Sequence, residues 1–253
     1  MTGFAADWLN LREPYDSRAR DPELLARLAE WAQGRRGLRA VDLGAGTGSA
    51  FRALDRHLPD DTLWTLVEHD PVLIATGQAL MPPGGRVRYR QADLSCELDQ
   101  VLTEDVDLLT ASALIDLVSD PWLDGLAERV LDCRCAVWIG LTYDSDLSFE
   151  PSLPEDSRVR QAFDRDMTRD KGFGRALGGG AHEALMARLQ GRGRLCSGRS
   201  PWLLGAEDGP IIHALIDGIA DAAHASTSWR GQRHATTTGM RVGHSDLLFL
   251  PEA

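Results

Sequence analysis

Long apolar runs are missing from this chain. None approaches the ~20 residues that a bilayer-spanning helix needs, and the N-terminus lacks the basic start and apolar core of a secretory signal. A cytoplasmic protein without a membrane partner is therefore expected. Cysteine is scarce, with four residues in all, Cys96, Cys133, Cys135 and Cys196. Cys133 and Cys135 would point to opposite faces of a strand, and no second pair completes a zinc site. No two histidines lie at i, i+4 helical spacing beside an acid, so no metal is expected. Positive charge is short as well. The formal net charge of −11 argues against nucleic acid, because phosphate binding is dominated by Lys and Arg. Two nucleotide signatures are absent too. No Gly-Lys-Ser/Thr follows the glycine turn at 44–48, and Ser49 stands where a dinucleotide turn places its third glycine. A Walker A loop is excluded and an NAD-type oxidoreductase is disfavoured.

What the chain does hold is a strand running into a glycine turn. At 253 residues and 43% hydrophobic it can bury one large α/β core. Val41 and Leu43 alternate as in a buried strand, and Gly44, Gly46 and Gly48 follow at every second position. Such a turn lets a ligand lie against the backbone, and its amides favour polar or anionic groups. Asp42, just before it, suits a cationic amino group. Residues 62–67 read as a second strand ending in Glu68, placed where an acid can accept both hydroxyls of a ribose. Residues 86–90 read as a third, leading to Ala92-Asp93-Leu94, where a carboxylate can accept from the exocyclic amine of adenine.

On Val41-Asp42-Leu43-Gly44-Ala45-Gly46-Thr47-Gly48, Val67-Glu68-His69-Asp70, Ala92-Asp93-Leu94 and residues 107–114, the chain resembles the class I S-adenosylmethionine-dependent methyltransferases. The resemblance covers roughly residues 38–144. It implies a doubly wound, mostly parallel, seven-stranded Rossmann-like sheet and S-adenosyl-L-methionine as cofactor. By the same carry-over Gly44, Ala45 and Gly46 meet the methionine part, Glu68 the ribose, and Asp93 the adenine amine. Ala92, Leu94 and His69 would flank the adenine, although many members carry an apolar residue at the position of His69. Ser112-Ala113-Leu114 would line the channel to the methyl group.

Strand and helix alternate along the core, with strands at 39–43, 62–68, 86–91, 106–111 and 136–142 and a helix at 121–130 capped by Asp120. Residues 1–36 form a helical lid from which Arg12 could reach the cofactor and Tyr15 the substrate; 37–253 form the core. After Tyr143 and Asp144 the alternation breaks, and 145–180 reads as an inserted substrate cap at the carboxyl end of a central strand, where open α/β sheets bind ligands. A helix at 181–190, a strand at 194–204, a helix at 209–225 and a strand at 244–250 complete the pattern. Residues 157–200 carry ten Lys/Arg against four Asp/Glu, either solvated helix faces or a rim that attracts an anionic small molecule.

Methyl transfer is an in-line displacement in which proximity supplies most of the acceleration, helped by a general base for some acceptors. His182, after three glycines in the cap, and Tyr143 are the candidate catalytic groups. Leu114, Asp116, Asp144, Trp202 and Tyr15 are the candidate substrate contacts. The function expected is methylation of a small molecule. A non-catalytic binder of the same cofactor and a protein methyltransferase are the other readings, the second disfavoured for want of a recognition domain.

Overall fold

The computed structural model describes residues 5–252; residues 1–4, which open the predicted lid, and residue 253 lie outside the described residues. Two helices lead, α1 (Ala6–Ala19) and α2 (Pro22–Ala32). Asp21 starts the second. Its Oδ1 accepts the Leu24 amide at 2.9 Å, and Pro22 takes the first helical position, where no amide hydrogen is needed. The alternating core follows as β1 (Arg39–Leu43), α3 (Ser49–Leu54), β2 (Leu63–Glu68), α4 (Pro71–Ala79), β3 (Val87–Gln91), a short α5 (Leu98–Val101), β4 (Leu108–Ser112), α6 (Asp120–Cys133) and β5 (Ala136–Glu150). Then come α7 (Asp156–Met167), α8 (Ala181–Leu189), β6 (Gly193–Arg199), β7 (Trp202–Leu204), α9 (Gly209–Ala222), α10 (Thr227–Thr236) and β8 (Gly239–Pro251).

The strands line up as β3-β2-β1-β4-β5-β8-β6. β1 to β5 pair in parallel, and β8 runs antiparallel between β5 and β6. This is the doubly wound, mostly parallel sheet that the alternation predicts. Successive strand residues feed opposite cores, as a period of two requires. Val41, Leu43, Leu109, Val137 and Leu247 pack with α6 and α8, whereas Ala40, Leu66, Leu108, Trp138 and Leu248 pack with α2 and α3. No helix among the described residues is long and apolar enough to cross a membrane.

Several boundaries differ from the sequence expectation, each for a local reason. The sheet has eight strands rather than seven. The predicted strand 194–204 breaks at Ser200-Pro201, because Pro201 has no amide hydrogen for a ladder and the Ser200 hydroxyl turns onto Asp246 at 2.6 Å. β7 beyond the break still pairs with β8, through Trp202 and Val242. Helix α6 is capped by Ser119 rather than Asp120, its Oγ accepting the Trp122 amide at 3.4 Å. The helix expected at 209–225 ends at Ala222, and α10 follows it.

The largest difference lies in β5 and β8. Both overrun their expected ends, so residues 145–150 of the predicted cap are strand. Beyond Gly140 the two strands continue as an antiparallel ribbon from Tyr143↔His244 to Glu150↔Gly239, with one register shift before it, between Ile139 and Thr142, and one inside it, between Tyr143 and Leu147. One face of this ribbon carries a third core of Tyr143, Leu147, Phe149, Trp202, Trp229 and Ile211 among others, closed by α7, α9 and α10. Trp8, Leu11 and Tyr15 of α1 pack against that same core, which sets α1 across the carboxyl edge of the sheet.

Candidate active site

The glycine turn leaves β1 with Gly44, Gly46 and Gly48 all at positive φ (64°, 54° and 87°). The Ala45 amide donates to the Val67 carbonyl at 2.9 Å, which pins the turn to the end of β2. There the Glu68 carboxylate spans two loops. Its Oε2 accepts the Gly46 amide at 2.8 Å, and its Oε1 accepts the His69 and Asp70 amides at 2.8 and 3.0 Å. Oε2, which accepts a single amide, keeps lone-pair capacity for a ligand hydroxyl. At the end of β3, Asp93 Oδ1 accepts the Ser95 amide and hydroxyl at 2.9 and 2.6 Å. These bonds hold its carboxyl below the ordinary range and leave Oδ2 unengaged. Ala92 and Leu94 are buried beside it, while His69 is exposed.

Beneath the turn lies a buried polar layer. Thr110 donates to Asp42 Oδ1 at 2.6 Å, Oδ2 has no partner, and burial pushes the Asp42 carboxyl up to about 7. Arg20, between α1 and α2, lies flat on the sheet over Gly140. A side chain at 140 would place its Cβ 2.5 Å from Arg20 Nη1 and 3.0 Å from Trp138 Nε1. Nη2 donates to Ser112 Oγ at 3.2 Å. Nε, Nη1 and Trp138 Nε1 have no partner among the described residues, and burial lowers the guanidinium's pKa. Buried donors and acceptors are rarely left unpaired, so this convergence marks a place for a ligand. Two donor groups beside a free carboxylate oxygen suit the carboxylate and ammonium of an amino-acid moiety. Asp246, fully buried, frames the layer by accepting from the Asp21 amide, the Leu141 amide and the Ser200 hydroxyl at 2.9, 2.8 and 2.6 Å.

α1 covers both features with one face. Leu9 is seated on the turn, 2.9 Å from where a Gly46 Cβ would be, so a residue larger than glycine there would displace it. Arg12 and Asp16, one turn apart, form a two-pronged pair at 2.9 and 3.2 Å. The Arg12 guanidinium stacks over Trp202 at 5.2 Å. Trp8 and Tyr15 flank Trp202, each with ring centroids at 6.4 Å, and His244 meets it at 5.1 Å. Glu13 fastens α1 to α3 by two 2.6 Å bonds from Arg52, which also donates to the Thr47 carbonyl of the turn. Leu114 would touch a Cβ on Gly44 at 3.3 Å, and Asp116 lies two residues on, buried, with Oδ1 unpartnered.

The structure thus gathers Arg12, Tyr15, Asp42, Gly44, Gly46, Ser112, Leu114, Asp116 and Trp202 along the carboxyl edge under α1, with Glu68 and Asp93 at its β2 and β3 end. It separates the others. His182 is on the opposite sheet face, buried with α8, and its Nε2 meets Ser197 Oγ at 2.8 Å. The three glycines before it lead straight into a helix that covers the sheet. Asp144 points away from Tyr143, toward Arg199 at 3.3 Å. Tyr143 donates to Asp164 at 2.9 Å within the third core, and burial holds its hydroxyl protonated. Of the ten basic residues in the run, five (Arg158, Arg169, Lys171, Arg188 and Arg199) are ion-paired, which halves the expected positive rim. Arg20, Asp16, Trp138 and His244 were not expected at the site. The 9, 12, 16, 20 spacing marks one helix face and could have pointed to the first two.

No protein-family model matches the chain, and no curated protein sequence does. Solved structures do match. The YcgJ protein of Bacillus subtilis superposes with a TM-score of 0.53 at 14% identity, over 92% of this chain and 100% of that one. Phosphoethanolamine N-methyltransferase 2 of Haemonchus contortus, with phosphomonomethylethanolamine and S-adenosylhomocysteine, gives 0.53 at 13% identity over 99% of this chain and 59% of that one. Its complex with S-adenosyl-L-methionine gives 0.52 at 13% identity, over 99% and 58%. At such identity the likeness is one of architecture: the chain has the fold of the class I S-adenosylmethionine-dependent methyltransferases.

Proposed function

We propose that this chain is an S-adenosylmethionine-dependent methyltransferase acting on a small molecule by in-line displacement. The observation that carries the reading is the set of unpartnered buried groups beside the glycine turn, Arg20, Trp138 and Asp42, in line with Glu68 and Asp93. When bound, the sulfonium supplies an activated methyl group. Arg20 and Trp138 would hold the carboxylate of its amino-acid end, and Asp42 the ammonium. Glu68 would accept the ribose hydroxyls and Asp93 Oδ2 the adenine amine, with Ala92 and Leu94 against the ring. Leu114 and Ser112 line the passage toward Asp116 and Trp202, where the acceptor would sit. α1 excludes water from that passage, which strengthens every charge interaction inside it. Residues 151–180 and α1 together enclose the acceptor.

Isothermal titration with S-adenosylhomocysteine, with NADH as control, tests this directly. Micromolar binding of the first alone is expected; preference for NADH, or no binding, overturns the assignment. Glu68→Ala is expected to weaken binding by about 1–3 kcal/mol, through lost hydrogen bonds to a charged group.

A further inference from the structure

The acceptor side of the cleft holds one buried acid that has no ion-pair partner among the described residues, although the field of Arg12 reaches it. Asp116 is 5% exposed, its Oδ1 has no hydrogen-bond partner, and no cation forms an ion pair with it among the described residues. Asp16, on α1, is committed to Arg12. The walls around these groups are aromatic: Trp8, Tyr15 and Trp202, with Trp202 Nε1 and His244 Nδ1 also unpartnered. A lone buried carboxylate is costly unless something cationic meets it. An aromatic wall is itself attractive to an organic cation. Asp116 is also tied to the methyl passage by sequence, since Leu114 rests on Gly44 and the Ala113 amide is held by the Gly140 carbonyl at 3.0 Å.

Resting on the methyltransferase reading above, we infer that the acceptor is a primary or secondary amine bound as its ammonium by Asp116, and that Asp116 takes the proton that must leave before nitrogen can attack. The step balances. Asp116 accepts one proton and becomes neutral, and the freed nitrogen pair forms the new C–N bond. The C–S bond breaks with its pair going to sulfur, so a neutral thioether and an N-methylated ammonium result. Asp116 then returns its proton to solvent. Burial pushes Asp116 up to about 6 and the field of Arg12 lowers it, which suits a base working near neutrality. The remaining candidate bases do not compete. His244 is pushed down to about 3, His182 on α8 is lowered and engaged by Ser197, and Tyr143 on β5 stays protonated.

The test is methyl transfer from labelled S-adenosylmethionine to a panel of primary and secondary amines and their matched alcohols, thiols and carboxylates. Label in amines alone is expected. Label in alcohols, thiols or carboxylates, or in no member while S-adenosylhomocysteine still binds, overturns the amine assignment and leaves the cofactor reading standing. Loss of S-adenosylhomocysteine binding overturns the cofactor reading instead. Asp116→Asn removes a buried charge and should fold, as its melting temperature will show. Its kcat/KM for the amine should fall ~100-fold at pH 7 and climb back toward pH 10, where a simple amine (pKa about 10) deprotonates unaided. Affinity for S-adenosylhomocysteine should stay within twofold, and Asp116→Glu should restore part of the rate. An equal loss at every pH would make Asp116 structural.

Discussion

The half of the sheet from β3 to β4 and the ribbon that β5 and β8 build beyond Gly140 satisfy their polar groups by different means. In the first half the acids are tied by backbone amides of the strand-end loops: Glu68 by His69 and Asp70 of its own loop and Gly46 of the neighbouring turn, and Asp93 by Ser95. In the second half long-range side-chain pairs do the work. Arg233, wholly buried, grips Asp156 at 3.0 and 2.5 Å, donates to the Pro151 carbonyl at 2.8 Å and stacks over Phe149. Trp229 donates to the same Asp156 at 3.0 Å. Within each half the unpartnered buried atoms are scattered, as Thr62 Oγ1 is in the first and Asp144 Oδ2 in the second. The seam between them, under α1, is where Arg20, Asp42, Asp116, Trp202 and His244 keep polar atoms without partners. Unfinished hydrogen bonding thus locates the site more sharply than concavity would.

The largest effect expected from breaking this contrast is in the ribbon half. Asp156→Ala leaves Arg233 charged and buried with no carboxylate, which should cost about 3–5 kcal/mol of stability in urea unfolding. If the two halves are as separate as their bonding suggests, S-adenosylhomocysteine affinity in the folded variant should change little. A stability loss under 1 kcal/mol would mean that water reaches Arg233 and the ribbon core is looser than described.

A smaller effect concerns the seam. Asp42 has a raised carboxyl pKa, so the folded chain binds its proton more tightly than the unfolded chain does. That contribution to stability is present at low pH and is lost as pH rises toward about 7. Asp42→Asn keeps an oxygen for Thr110 but has nothing to titrate. The difference in unfolding free energy between pH 5 and pH 8 should change by about 2–3 kcal/mol relative to the parent, in favour of the variant at pH 8. Identical pH profiles for the two proteins would show that Arg20 neutralises Asp42 at a distance.

The same contrast explains what was legible in the sequence. Glu68, Asp93 and the three glycines work through their own local backbone, so spacing from a strand end was enough to place them. The ribbon works through partners 77 or 105 residues apart, as in Arg233–Asp156 and Leu141–Asp246, and no local pattern encodes those. The overrun of β5 past Thr142 was hidden because Asp144, Ser145, Asp146 and Ser148 are poor strand formers. Ser148 pairs with Arg241 of β8, while residues 144–146 lie in the irregularity between Tyr143 and Leu147, with Ser145 at positive φ. His182 misled for a related reason. Three glycines before a histidine at a helix start read as part of the cap, yet Gly179 is there because a side chain would strike Ser145 Oγ at 2.2 Å.

The smallest effect expected, and the one that most sharpens the contrast, is at the fastening of α1. If Leu9, seated on the glycine turn, closes the cofactor's entrance, α1 must lift to admit it. Glu13 and Arg52 join α1 to α3 across that entrance, each about a quarter exposed, in a geometry good enough for both oxygens to be used. A pair at that exposure contributes ~1 kcal/mol or less, and it acts on the closed state alone. Glu13→Gln should therefore leave the melting temperature nearly unchanged while the open state becomes about fivefold more populated, the factor that 1 kcal/mol supplies. Stopped-flow association of S-adenosylhomocysteine should accelerate by that factor, because entry waits on the open form. Association at the parent rate would make α1 a fixed wall of the site, and the cofactor's path would then have to run between α4 and β3 instead.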